Sequence, residues 1–71
     1  MPKLYSSKTV TKTLERKGFV FVSQKGSHIK MRKTGNPILT AIVPAGRKHI
    51  PIGTFKSILR QAKLSEKDFR K

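Results

Sequence analysis

Between Arg16 and Ser65 the chain contains no aspartate or glutamate, yet Arg16, Lys17, Lys25, Lys30, Arg32, Lys33, Arg47, Lys48, Lys56, Arg60 and Lys63 all fall in that stretch. Glu15, Glu66 and Asp68 are the only acids. Set against 17 Lys+Arg, they leave a formal charge of +14. In a compact state these charges repel one another, and an anionic partner relieves the repulsion. The shortage of carboxylates also removes whole classes of chemistry. A cage for Mg²⁺ or Ca²⁺ needs several convergent acids. Two-metal nucleases and paired-carboxylate glycosidases are excluded by the inventory. So is a Ser-His-Asp site that draws its acid from the centre of the chain. There is no cysteine, hence no disulfide, no thiolate chemistry and no cysteine-based zinc site. That usage fits a reducing cytoplasm.

At 71 residues the chain has room for one small domain, spanning 1–71. Its hydrophobic content of 35% allows a thin core of modest stability. Four Phe, one Tyr and a spread of Ile, Leu and Val argue against a disordered basic tail. No apolar run approaches the roughly 18–20 residues that span a bilayer, and no signal-peptide core follows the N-terminus. Nucleic acid is the leading partner, because every phosphate neutralised releases a counterion. An anionic membrane would want a bulkier amphipathic helix than this chain offers. The plainest alternative is a surface that is merely soluble.

The pattern along the chain predicts α-β-β-β-α with a short terminal helical turn. Ser7 to Lys17 reads as a helix with Ser6 or Ser7 as N-cap, Val10 and Leu14 on one face, and Gly18 as its stop. Its threonines at 9, 11 and 13 weaken intrinsic helicity, so packing must hold it. Phe19 to Ser23 is rich in aromatic and β-branched residues and reads as a strand. A turn at Gln24-Lys25-Gly26 leads to a hairpin partner from Ser27 to Lys33. Thr34 to Pro37 is a loop, Ile38 to Val43 a third strand, and Pro44 ends its pairing. After a loop from Ala45 to Gly53, Thr54 is expected to cap a helix reaching about Lys63, with Phe55, Ile58, Leu59 and Ala62 as its core face. Ser65 to Asp68 resembles a capping box opening a turn that includes Phe69. The fold class is α+β: a three-stranded antiparallel sheet with helices on one face.

Alternation along the second strand has a consequence for function. If Ile29 and Met31 face the helices, His28, Lys30 and Arg32 share the opposite, open face. A histidine has an unperturbed pKa near about 6.5 and can move a proton at neutral pH. RNA is cut without metal when its 2′-hydroxyl attacks the adjacent phosphate. A base takes the hydroxyl proton, an acid protonates the departing 5′-oxygen, and cations stabilise the phosphoryl oxygens. His28 with Lys30 and Arg32 supplies such a set. Gly26 allows backbone to approach a phosphate, and Ser27 can donate a hydrogen bond. Lys25, Arg47 and Lys48 are further phosphate contacts, while His49 is a phosphate contact, a second proton-transfer group or neither. The ordinary reading of an exposed strand histidine among lysines is a plain surface residue. Tyr5 reads as core or helix staple before base-stacking, and at least one of Phe19 and Phe21 reads as core.

Several motifs, in order, go further. They are Gly18-Phe19, Gln24-Lys25-Gly26-Ser27-His28, Val43-Pro44, and Gly53-Thr54-Phe55 followed by Ser57-Ile58-Leu59-Arg60-Gln61-Ala62, with Leu64-Ser65 ahead of Phe69. In this order and spacing the chain resembles the HicA family of bacterial toxins, small mRNA interferases of toxin–antitoxin pairs, over nearly its whole length. The resemblance implies a double-stranded-RNA-binding-domain-like fold. It implies metal-independent endoribonuclease activity on mRNA, with no cofactor and with the histidine of Gly-Ser-His, here His28, as the essential residue. It also implies a HicB-family antitoxin that covers His28. The free toxin is expected to be a monomer, and the cysteine-free composition places it in the cytoplasm. Family members often carry a histidine shortly after the Val-Pro, where this chain has Ala45-Gly46-Arg47. Whether His49, Lys30 or water takes a second proton-transfer role is open. The competing expectations are a non-catalytic RNA-binding module of the same fold and a basic face that meets only an acidic protein.

Overall fold

A computed structural model describes residues 4–69. The elements are α1 (Ser7–Arg16), β1 (Val20–Lys25), β2 (His28–Lys33), β3 (Leu39–Pro44), α2 (Ile52–Ala62) and a terminal 3-10 turn (Glu66–Phe69). The strands form one antiparallel sheet in the order β1-β2-β3. Both helices pack on β3, over the face that carries the buried side chains of Met31, Ala41 and Val43. This is the expected α-β-β-β-α arrangement, with strand ends displaced by a residue or two.

Ser6 is the N-cap of α1: its hydroxyl accepts from the Thr9 N–H at 3.1 Å. That satisfies one of the amides left over at a helix start. Val10 and Leu14 are fully buried as their spacing requires. The helix stops at Gly18, whose φ of +99° suits a residue without a Cβ. The Phe19 N–H then donates back to the Leu14 carbonyl at 2.9 Å, so the chain turns directly into the sheet.

α2 departs from expectation. It begins at Ile52, two residues before Thr54, with Pro51 as N-cap and no side-chain cap hydrogen bond. Pro51 is extended at φ −55° and ψ 144°, close to the φ its ring enforces. Its carbonyl takes the Phe55 N–H at 2.9 Å and starts the helix without help from Thr54. The Thr54 hydroxyl is therefore left for other work. At the far end Lys63 adopts the left-handed conformation, φ 54°, while the Leu64 N–H donates to the Leu59 carbonyl at 3.0 Å. The terminal turn is held by Asp68, which accepts from the Ser65 N–H at 2.8 Å and pairs with Lys17 Nζ at 3.1 Å. The hydrogen bond from Ser65, reinforced by Lys17, keeps the Asp68 carboxyl below its usual pKa.

The core is apolar and aromatic. Tyr5, Phe55 and Phe69 form an aromatic cluster with ring centroids 5.0 to 5.7 Å apart, Tyr5 tilted against both and Phe55 edge to face with Phe69. Phe19 is 2% exposed and Phe21 56%, so one of the two is core. β1 is an edge strand, and the helices lie over β3. Phe21 pairs with Met31 across the ladder, yet it projects where no helix covers it.

The two sheet edges differ. On β3 the Ile42 N–H, pointing away from β2, donates to Gln61 Oε1 at 2.9 Å. Two residues on, Pro44 has no N–H to offer. Pro44 therefore stays in the ladder opposite His28 as its last rung, because the outer side of an edge strand tolerates proline.

Candidate functional site

The site is a product of strand register. Across the sheet, Lys25 pairs with His28 and His28 with Pro44; Ser23 pairs with Lys30 and Lys30 with Ile42. Directly paired residues project from the same face. The open face thus presents a grid of Lys25, His28 and Pro44 in one row and Ser23, Lys30 and Ile42 in the next. Arg32, between Val20 and Thr40, forms a third row. The opposite pleat, Ile29 and Met31, turns toward the core. An irregularity between Phe21 and Ser23 leaves Val22 without a rung. Such a bulge re-aims the side chains that follow, and here it brings Ser23 and Lys25 onto the face of Lys30 and His28.

Two recesses meet at His28. One, of about 300 Å³, lies on the open face and is lined by Ser23, Lys25, His28, Lys30 and Ile42. The other, of about 330 Å³, runs from His28 and Ile42 past Pro44 and Arg47 to Thr54, Ser57 and Gln61 on α2. His28 itself is exposed. A cation therefore stands on either side of the imidazole: Lys25 and Lys30 along the sheet, Arg47 across it.

Arg47 reaches this place because of Ser7, a residue that reads in the sequence only as a possible helix cap. The Ser7 hydroxyl donates to the Pro44 carbonyl and accepts from the Arg47 N–H at 2.9 Å, while the Ser7 N–H donates to the Arg47 carbonyl, also at 2.9 Å. Ser7 is 6% exposed, so these bonds are shielded from competing water. The start of α1 thereby clamps the loop after β3 beside His28. Contacts of this range leave no local signal in a sequence.

The remaining expected residues are dispersed. Arg32 is on the open face but lines neither recess. Ser27 sits in the β1–β2 turn, where its carbonyl accepts from the Ala45 N–H at 2.6 Å and ties that turn to the end of β3. Gly26 has φ +56° and open space where a Cβ would stand, so its backbone conformation, not crowding, calls for glycine. Lys48 lines a separate hollow with Lys8 and Thr11 on the α1 side. His49 is exposed and lines none of these three. Among the described residues no three His, Asp or Glu side chains converge, and no helix is long and apolar enough to cross a membrane.

A small cationic α-β-β-β-α domain with a histidine raised on its open sheet is the class that fold and site define. The sequence model described as HicA toxin of bacterial toxin-antitoxin matches residues 7–64 of the 71. The chain belongs to the HicA toxin family, and it is the toxin side of a toxin–antitoxin pair with a cognate antitoxin. No curated protein matches it.

Proposed function

We propose that this toxin is a metal-independent endoribonuclease that cleaves mRNA in the cytoplasm, with His28 as the group that moves the proton. The 2′-oxygen attacks the neighbouring phosphorus, forming the 2′-O–P bond as the P–O5′ bond breaks. The 2′-hydroxyl proton leaves to a base and the 5′-oxygen receives one from an acid, giving 2′,3′-cyclic phosphate and 5′-hydroxyl ends. His28 serves as one of these two groups. Lys25, Lys30 and Arg47 oppose the charge that builds on the phosphoryl oxygens.

The observation that carries this reading is the position of His28 where two recesses meet, with cations on both sides. The double-stranded-RNA-binding-domain-like order of elements supports RNA as the substrate. Lys48 and Arg32 lie farther out and extend the field that attracts a polyanion. The cognate antitoxin is of the HicB family and covers His28, so neutralisation is steric.

The test is cleavage of a defined single-stranded RNA in excess EDTA by wild type and His28→Ala, purified identically. Wild type should cleave and leave cyclic phosphate ends, while His28→Ala binds the RNA but does not cut it. Equal cutting by both would remove His28 from the chemistry. Tight binding without cutting by either favours a non-catalytic RNA-binding module. The position of His49 outside the recesses gives that second reading its weight, because no second imidazole stands at hand.

A further inference from the structure

The recess between His28 and α2 contains more than a phosphate requires. Ile42, Pro44 and Pro51 give it an apolar part, and polar groups of Thr54, Ser57 and Gln61 line it from α2, with His28 and Arg47 completing it. The Gln61 carboxamide has a determined orientation. A backbone N–H needs an oxygen acceptor, so the bond from the Ile42 N–H at 2.9 Å assigns Oε1 to the strand. The Nε2 amide is left as a donor with no partner among the described residues, and the Thr54 hydroxyl has none either. This hydroxyl is spare because Pro51 opens α2 in its place.

Apolar side chains beside an oriented amide donor and a rotatable hydroxyl suit a flat heterocycle with polar atoms on its edge. A phosphate alone would make no use of Ile42, Pro44 and Pro51. We propose that this recess is the subsite for one nucleobase flanking the cleaved phosphate, so that a single-stranded RNA crosses His28 from the open sheet to α2. The inference rests on RNA being the substrate. Single-stranded RNA is required because a base enters such a pocket only when unpaired and splayed from its neighbours. Thr54 and Gln61 are then specificity residues, and Arg47 binds the phosphate that joins the two recesses. Gln61 has two duties: its oxygen closes the β3 edge and its nitrogen reads the base.

The experiment uses the full chain and two 2′-O-methyl ribose oligomers of equal length, one with bases in mixed sequence and one abasic throughout. The blocked 2′-oxygen prevents cleavage, so affinity is read alone, by fluorescence anisotropy. Wild type should prefer the base-bearing oligomer by about tenfold or more. Thr54→Val and Gln61→Glu should each lower that preference by about three- to tenfold, the scale of one lost hydrogen bond. Gln61→Glu keeps an oxygen for the Ile42 N–H, and its added charge weakens both oligomers alike, so the ratio isolates base recognition. An unchanged ratio in both variants, or equal binding of the two oligomers by wild type, would overturn the subsite. Binding to neither oligomer would overturn it together with the RNA reading. If these ratios behave as expected while native RNA is not cleaved, the nuclease reading fails and the subsite stands.

Discussion

Single side chains in this protein owe their roles to where a strand or loop delivers them. His28, Lys30 and Arg32 are legible as one face because a strand has a period of two and Ile29 and Met31 need burial. The same rule places Phe19 and Phe21 alike, two residues apart, yet their exposures differ as 2% and 56%. Parity fixes the direction of a side chain, but it does not say whether a helix lies above it. Arg47 shows the larger gap. Its place beside His28 depends on Ser7, forty residues away in the chain, and nothing local announces that contact. Replacing Ser7 by alanine strips the Arg47 N–H and the Pro44 carbonyl of a part-buried partner, which should cost about 1–3 kcal/mol. Ser6→Ala removes the α1 cap and an exposed bond to the Thr9 hydroxyl, at a cost of about 1 kcal/mol. Denaturant unfolding gives both losses. Hydrogen exchange separates them: the Arg47 amide should lose protection in Ser7→Ala and keep it in Ser6→Ala. Equal protection in the two variants would mean that the loop is held by other contacts.

At the scale of elements, the strands and the order of the helices follow from hydrophobic pattern, while the helix ends do not. Thr54 has the chemistry of an N-cap, and its position ahead of an apolar helical face predicts that role. Pro51 displaces it, because a proline already set near φ −65° starts a helix at little entropic cost. The end of α2 is less well matched. Lys63 is held at φ 54°, a conformation that costs a residue with a Cβ roughly 1 kcal/mol. The bond from the Leu64 N–H to the Leu59 carbonyl nevertheless requires that turn. Lys63→Gly should therefore stabilise the protein by about 0.5–1 kcal/mol, with the greater freedom of glycine in the unfolded chain offsetting part of the gain. A rise in thermal midpoint by a few degrees is the expected reading. A loss of stability would show that the lysine side chain makes a contribution larger than its backbone strain. The exchange also removes one positive charge, so Lys63→Gln serves as the control for charge alone.

For the whole molecule the controlling quantity is the charge of +14 on a chain with a radius of gyration of 11.2 Å. The Debye length is about 10 Å at 0.1 M salt and about 30 Å at 0.01 M. At low salt every cation therefore feels nearly every other. Opposite charges offer little relief, since Lys17 with Asp68 is the ion pair among the described residues. Screening should raise the thermal midpoint steadily from about 0.01 M to about 0.5 M sodium chloride, opposite to a protein stabilised by its surface ion pairs. A single-stranded RNA does the same work by binding. In its presence the midpoint should be high at low salt, because the polyanion binds the folded face, and should fall as salt displaces it. The two curves then converge at high salt. That convergence separates attraction to a polyanion from relief of repulsion, since simple screening moves the free protein alone. A flat midpoint would mean that the basic residues repel one another as strongly in the unfolded chain as in the fold. A midpoint that falls with added salt would mean that attraction at pairs such as Lys17–Asp68 outweighs the repulsion. An RNA-containing sample indistinguishable from the free protein at low salt would remove RNA as the partner of this face, and leave the acidic surface of an antitoxin to account for it.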